Sequence, residues 1–132
     1  MGSASGHICE VCGTKFMVRN GGGFFFDLLH CDACGGSTAI SHESLGDIHL
    51  RFIKGLSRPY AVARAAMDER IRQEFQGEPL DRAGYHEAAE LTLEPCACGG
   101  HFRYDAPARC PKCRSTRENW VRDAAARGSH YD

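Results

Sequence analysis

The stretch "CACGGHFRYDAPARCPKCRS", residues 96–115, decides how the rest of the chain is read. It holds two close cysteine pairs that differ in spacing. Cys110-Pro111-Lys112-Cys113 has two residues between its sulfurs, and Cys96-Ala97-Cys98 has one. A disulfide staple, a redox pair and a metal site all use close cysteines, so the remaining cysteines choose between them. There are eight in all: four at 9, 12, 31 and 34, four at 96, 98, 110 and 113, and none from 35 to 95. That is a metal pattern. Zn²⁺ takes four ligands at tetrahedral corners, with Zn–S near ~2.3 Å, and one Cys-x-x-Cys turn fills two adjacent corners. The segment 13–30 has the length of a two-strand hairpin that brings a second turn over, and the segment 99–109 that of a shorter one. Gly13, Gly35 and Gly99 follow the second cysteine of a pair, where a glycine lets the chain fold back and aim amides at sulfur. Cys96-Ala97-Cys98 makes a tighter chelate, and Gly99 with Gly100 supplies the freedom to compensate.

The chain has 132 residues, 42% apolar and 25% charged, which is ordinary globular composition for one domain or two very small modules. With 16 basic and 17 acidic residues the net charge is -1, so bulk charge does not mark a phosphate-gripping domain. No apolar run reaches the ~18 residues of a transmembrane helix. Met1 to Gly6 carries neither a secretory nor a good myristoylation pattern. The expectation is a cytoplasmic protein with no membrane partner, whose thiols stay reduced and serve metal rather than disulfides.

Between the cysteine groups the sequence reads as helical. Leu45, Ile48, Phe52 and Leu56 recur at helical spacing, with Ser44 as a candidate cap. Ala63, Met67, Ile71 and Phe75 form an i, i+4 stripe that predicts a core-facing helix opened by Pro59, with Asp68 and Arg72 as an exposed ion pair. Asp81 caps a third helix that Pro95 stops. In the N-terminal module, Asn20-Gly21-Gly22-Gly23 is a turn between two strands. The fold expected is α+β: two small zinc ribbons, each a rubredoxin-like β-hairpin with four cysteine ligands, flanking a helical centre. The segments are an N-terminal ribbon (1–40), the helical centre (41–94), a C-terminal ribbon (95–118) and a tail (119–132). Trp120, the one tryptophan, is expected to pack, and the end beyond it to fray.

The two clusters resemble zinc ribbons of the wider rubredoxin-like class. "CEVCGTKFMV" followed by "CDACGG" is similar to the N-terminal ribbon of FmdB-type regulatory proteins, and "CGGHFRYDAPARCPKCRS" is similar to bacterial ribbons that end in a Cys-Pro-x-Cys knuckle. The resemblance covers roughly half of the chain and implies two Zn²⁺ per chain. It also implies the ligand sets, Cys9, Cys12, Cys31 and Cys34 for one ion and Cys96, Cys98, Cys110 and Cys113 for the other. The centre resembles no family.

Ribbons are scaffolds that host many functions. Two complete thiolate sets leave no open metal position, so the expectation is a non-enzymatic adaptor or regulatory module that recognises a protein. A second expectation is RNA or single-stranded DNA, held by Arg103, Arg109, Lys112, Arg114 and Arg117 with Phe102, Tyr104 and Trp120 as stacking rings. A third is rubredoxin-like electron transfer with iron at one site, shielded by Phe16, Phe24, Phe25 and Phe26. His42, Glu43, Asp47 and His49 form a further polar cluster, read as surface or as a grafted site. "HEAAE" at 86–90 lacks the second histidine of a zinc-protease helix. The apolar content of the centre would also serve a homodimer, so the oligomeric state stays open.

Overall fold

The computed structural model describes residues 2–131, so Met1 and Asp132, the outermost residues of the expected ribbon and tail, lie outside it. The fold is mixed α+β, with small antiparallel sheets and a helical centre flanked in sequence by the cysteine pairs. Ser41–Leu93 forms one unit, and the segments on either side of it together form the other. The expected pair of separate ribbons is thus a single discontinuous unit, because its strands pair across the two ends of the chain.

In this ribbon unit the strands are β1 (Gly2–Cys9), β2 (Lys15–Asn20), β3 (Phe26–Cys31), β4 (Ser37–Ser41), β5 (Phe102–Arg103), β6 (Trp120–Arg122) and β7 (Ser129–Tyr131). β1 pairs with β2 on one side, from Ser3↔Asn20 to Ile8↔Lys15. On its other side β1 takes β6 along His7–Cys9 and β7 along Gly2–Ala4. The second sheet runs β4-β3-β5, with Cys31 opposite Phe102. The tail beyond Trp120, expected to fray, is instead held in a sheet. Tyr131 also stacks on Phe26 at 5.9 Å, and its hydroxyl donates to the carbonyls of Asn20 and Gly21. Trp120 is buried as expected, edge-on to Phe16 at 4.8 Å and beside His7 at 5.4 Å. Cys9, Val18, Cys110 and Trp120 make the core, with Cys12, Phe16 and Ala108 packed against it.

The helical unit holds α1 (His42–Leu45), α2 (Asp47–Gly55), α3 (Ala65–Glu74) and α4 (Arg82–Leu91). Ser41 rather than Ser44 is the first cap, its hydroxyl accepting from the Ser44 N–H at 3.0 Å. Asp81 caps α4 as its sequence predicts, accepting from the Gly84 N–H at 2.7 Å. Two expectations for α3 are corrected. Pro59 lies before a 3-10 turn at Val62–Arg64 and does not open the helix. The face turned inward carries Arg64 and Asp68, while Ala63 and Met67 are exposed. The Asp68 carboxylate is fully buried, accepts from the Tyr60 N–H at 2.8 Å and lies 3.8 Å from Arg64 Nε. Arg72 reaches Glu69 instead, at 2.6 Å. Periodicity registers apolar residues and is blind to a buried ion pair that satisfies a loop amide, which is why the stripe misplaces the face. Phe52 stacks on Tyr85 at 4.2 Å, and Leu45, Ile53 and Ala89 complete this core.

Candidate metal centres

All four cysteine pairs sit in the same kind of turn. In the first, the Gly13 N–H donates to the Cys9 carbonyl and the Cys9 N–H to the Thr14 carbonyl. The Cys31 turn repeats this with Gly35 and Gly36, and the Cys110 turn with Arg114 and Ser115. The Cys96 turn uses the same two bonds one residue earlier, from Gly99 N–H to the Cys96 carbonyl and from Cys96 N–H to the Gly100 carbonyl. The short spacing therefore deletes a residue from the loop and leaves its hydrogen-bond scheme intact. Each turn places the residue after its second cysteine in the left-handed region: Gly13 and Gly35 at φ 74°, Gly99 at 94° and Arg114 at 64°. Gly100 serves differently. A Cβ there would sit 2.6 Å from Cys31 Sγ and 2.7 Å from Ala33 Cβ, so it is required by close approach and not by backbone freedom.

The turns combine in a nested order. Cys9 and Cys12 meet Cys110 and Cys113, and Cys31 and Cys34 meet Cys96 and Cys98; within each set the sulfurs all lie within 4.8 Å of one another. The sequential sets expected from the hairpin lengths and implied by the ribbon resemblance are thus not the ones assembled. We call the first set outer and the second inner. In the outer set Cys9 Sγ is 3.5 Å from Cys113 Sγ and Cys12 Sγ is 3.5 Å from Cys110 Sγ. In the inner set Cys31 to Cys98 is 3.5 Å and Cys34 to Cys96 is 3.7 Å. The edge of a tetrahedral zinc–thiolate site with Zn–S of ~2.3 Å is about 3.8 Å, so both sets fit one ion each. Such an ion would act as a crosslink between chain ends, with all four corners filled by protein.

The surroundings favour thiolate at some positions and not at others. The Ser115 hydroxyl, 3.0 Å from Cys9 Sγ, draws the Cys9 thiol down to about 6 against the opposing effect of burial. Thr14 Oγ1, 3.1 Å from Cys12 Sγ, lowers that thiol too. Burial raises Cys31, but the Cys34 and Ala33 amides outweigh it and bring the thiol to about 7. Cys34 receives the Gly36 N–H, which lowers it, yet burial and its cysteine neighbours push it up to about 11. Burial likewise raises Cys110. Four thiols packed together cannot all ionise alone, and a divalent cation relieves that repulsion.

Other sequence candidates are placed as follows. Arg103 Nε lies 3.8 Å from Asp32 Oδ2, and Arg109 donates to the Arg114 carbonyl at 3.1 Å. Lys112, Arg114 and Arg117 are exposed. Two of the candidate stacking rings are engaged inside the unit: Trp120 in the core, and Tyr104 through its hydroxyl, which donates to Asp27 at 2.7 Å. His42 and His49 are brought together, buried and stacked at 3.8 Å with planes 9° apart, whereas Glu43 and Asp47 are exposed. Their Nδ1 atoms meet different partners, the Tyr85 hydroxyl at 3.3 Å for His49 and the Arg64 guanidinium at 3.5 Å for His42. The inner and outer sets are the groups of metal-binding geometry among the described residues. Sequence reasoning missed Ser115 and Thr14, whose only signal is their place two residues after a knuckle cysteine.

A protein-family model described as a domain of unknown function, DUF8255, matches residues 6–119. The chain belongs to this family. The matched span contains all eight cysteines and the whole helical unit, so the nested sets and the segment between them belong to one family domain. No curated protein matches the chain, and no solved structure does. Among the described residues no helix is long and apolar enough to cross a membrane.

Proposed function

We propose that this is a non-enzymatic, zinc-binding adaptor or regulatory module that holds two structural Zn²⁺ ions and recognises a protein partner. The observation that carries the reading is that each ion would be met by four cysteine sulfurs, leaving no corner for substrate or water. Exposed apolar side chains support the protein partner. Val11, Met17, Phe25 and Val121 are exposed on the ribbon unit. On the helical unit a cavity of about 490 Å³ is lined by Leu50, Ala66, Met67, Ile71 and Phe75. The occupied aromatic rings count against stacking on nucleic acid, although Lys112, Arg114 and Arg117 keep a basic rim. Of the rings expected to shield an iron site, Phe16 packs beside the outer set, whereas Phe25 is exposed.

Metal analysis of the purified full chain tests the reading. A colourless protein with two zinc per chain supports it, and a red protein with an iron–thiolate charge-transfer band would replace it with electron transfer. A salt-sensitive shift of single-stranded RNA, lost in an Arg114→Ala, Arg117→Ala double variant, would move the partner from protein to nucleic acid.

A further inference from the structure

Two observations tie the metal centres to each other. The first is connectivity. With the inner set open, the outer knuckles are separated by the whole segment 13–109. With the inner set closed, only the stretches 13–30 and 99–109 remain free to wander between them. The helical unit is compact by itself, so the flexible chain between the outer knuckles shrinks from 13–40 with 94–109 to 13–30 with 99–109. Closure cost grows as the logarithm of that length with a coefficient of 3/2 RT, so closing the inner set raises the local concentration of the outer knuckles about twofold.

The second is a direct contact. Gly35, in the Cys31 turn of the inner set, lies flush against Arg109, the residue before Cys110 of the outer set. A Cβ on Gly35 would sit 2.3 Å from the Arg109 nitrogen and 2.4 Å from its Cβ. Gly13, the counterpart of Gly35 in the Cys9 turn, has the same φ of 74° but nothing within 4 Å of where its Cβ would be. One knuckle glycine therefore answers only to its own turn, and the other also forms the seat on which the neighbouring centre rests. The Gly35 carbonyl is also tied to the first sheet: the His30 ring lies 3.1 Å from it and 3.1 Å from the Arg19 carbonyl of β2.

We infer that the two centres bind metal cooperatively, through the nested chain and through the Gly35–Arg109 contact. The inference rests on the metal reading above and adds to it that neither centre is autonomous. Because binding coupling is reciprocal, each filled centre raises the affinity of the other by the same factor.

The test uses the full chain loaded with ¹¹³Cd²⁺, in which each thiolate centre gives its own resonance, under competition with a chelator. Two thiolate-range signals in the wild-type protein uphold the metal reading, and their absence would sink that reading and not merely the coupling. Gly35→Ala is expected to weaken the outer signal at least about twofold, although every outer ligand is unchanged. Gly13→Ala is expected to weaken the outer signal through local strain, with a smaller effect on the inner one. A Cys96→Ser, Cys98→Ser double variant removes the inner set altogether and covers the case in which Gly35→Ala fails to fold. Its outer site should bind Cd²⁺ at least about twofold more weakly than in the wild type. Outer binding at wild-type strength in either variant would overturn the inference.

Discussion

Around the outer centre, hydroxyls reach the sulfurs. Ser115 Oγ lies 3.0 Å from Cys9 and 3.2 Å from Cys113, and Thr14 Oγ1 lies 3.1 Å from Cys12. Around the inner centre the contacts come from backbone amides, of Ala33 and Cys34 onto Cys31 and of Gly36 onto Cys34. The outer set also leans on a packed aromatic core, with Cys9 and Cys110 fully buried beside Trp120. Each set has one exposed cysteine, Cys113 in the outer and Cys98 in the inner, but the inner set buries only Cys31. Backbone amides reach sulfur in the outer set too, from Val11 and Cys12 onto Cys9 and from Lys112 and Cys113 onto Cys110, so what sets the outer set apart is the hydroxyls added to that shared support. Side-chain support can be removed by deleting a hydroxyl. Backbone support can be removed only by moving the chain.

The comparison is broken most severely by withdrawing metal from both centres. Structural zinc contributes roughly 10–16 kcal/mol to the folding of small zinc domains. Chelation should abolish hydrogen-exchange protection along β1 and β3 while α2 and α4, with their own core, keep theirs; equal loss in both units would refute the division. Gly100→Ala comes next. Its methyl group would press on Cys31 Sγ and Ala33, an overpacking worth about 1–3 kcal/mol, and the inner Cd²⁺ resonance should weaken first. Gly99→Ala meets open space and should cost only the left-handed strain, about 1–2 kcal/mol. Ser115→Ala probes the other kind of support. It should lower outer affinity by about 1.5 kcal/mol in chelator competition with the amide-held inner centre hardly changed. The smallest effect has the opposite sign. Arg114 occupies at φ 64° the position that glycine fills in the other three turns, so Arg114→Gly should stabilise the protein by up to about 1 kcal/mol, read as a rise in melting temperature.

The four cysteine pairs, the helical centre and the Asp81 cap were legible because each depends on residues close together in the chain. The grouping of the ligands was not. Spacing says which cysteines share a turn, but which turns meet is fixed by β1 pairing with β6, where Cys9 lies opposite Trp120. Nothing near Cys9 in the sequence records that partner. The same holds for the tail, whose Ser129–Tyr131 reads as a frayed end until Gly2–Ala4 is laid beside it. In α3 the failure was chemical: Asp68 reads as a surface carboxylate, and only the Tyr60 amide and Arg64 make it an interior one. Ser115 and Thr14 were overlooked because a hydroxyl beside a knuckle is unremarkable until its distance to sulfur is known.

The nested order also bears on how the protein is made. Chains emerge from the ribosome N-terminal end first. When Cys34 appears, neither set is complete, and the next cysteine, Cys96, follows only after the whole stretch 35–95 has been made. Through that interval the nascent chain carries the four thiols of Cys9, Cys12, Cys31 and Cys34, half of each final centre, at spacings that suit a single ion. An ion captured early by these four would have to be surrendered before either native centre could close. The helical unit is synthesised during that wait, so one of the two compact units is finished before either cysteine set is complete.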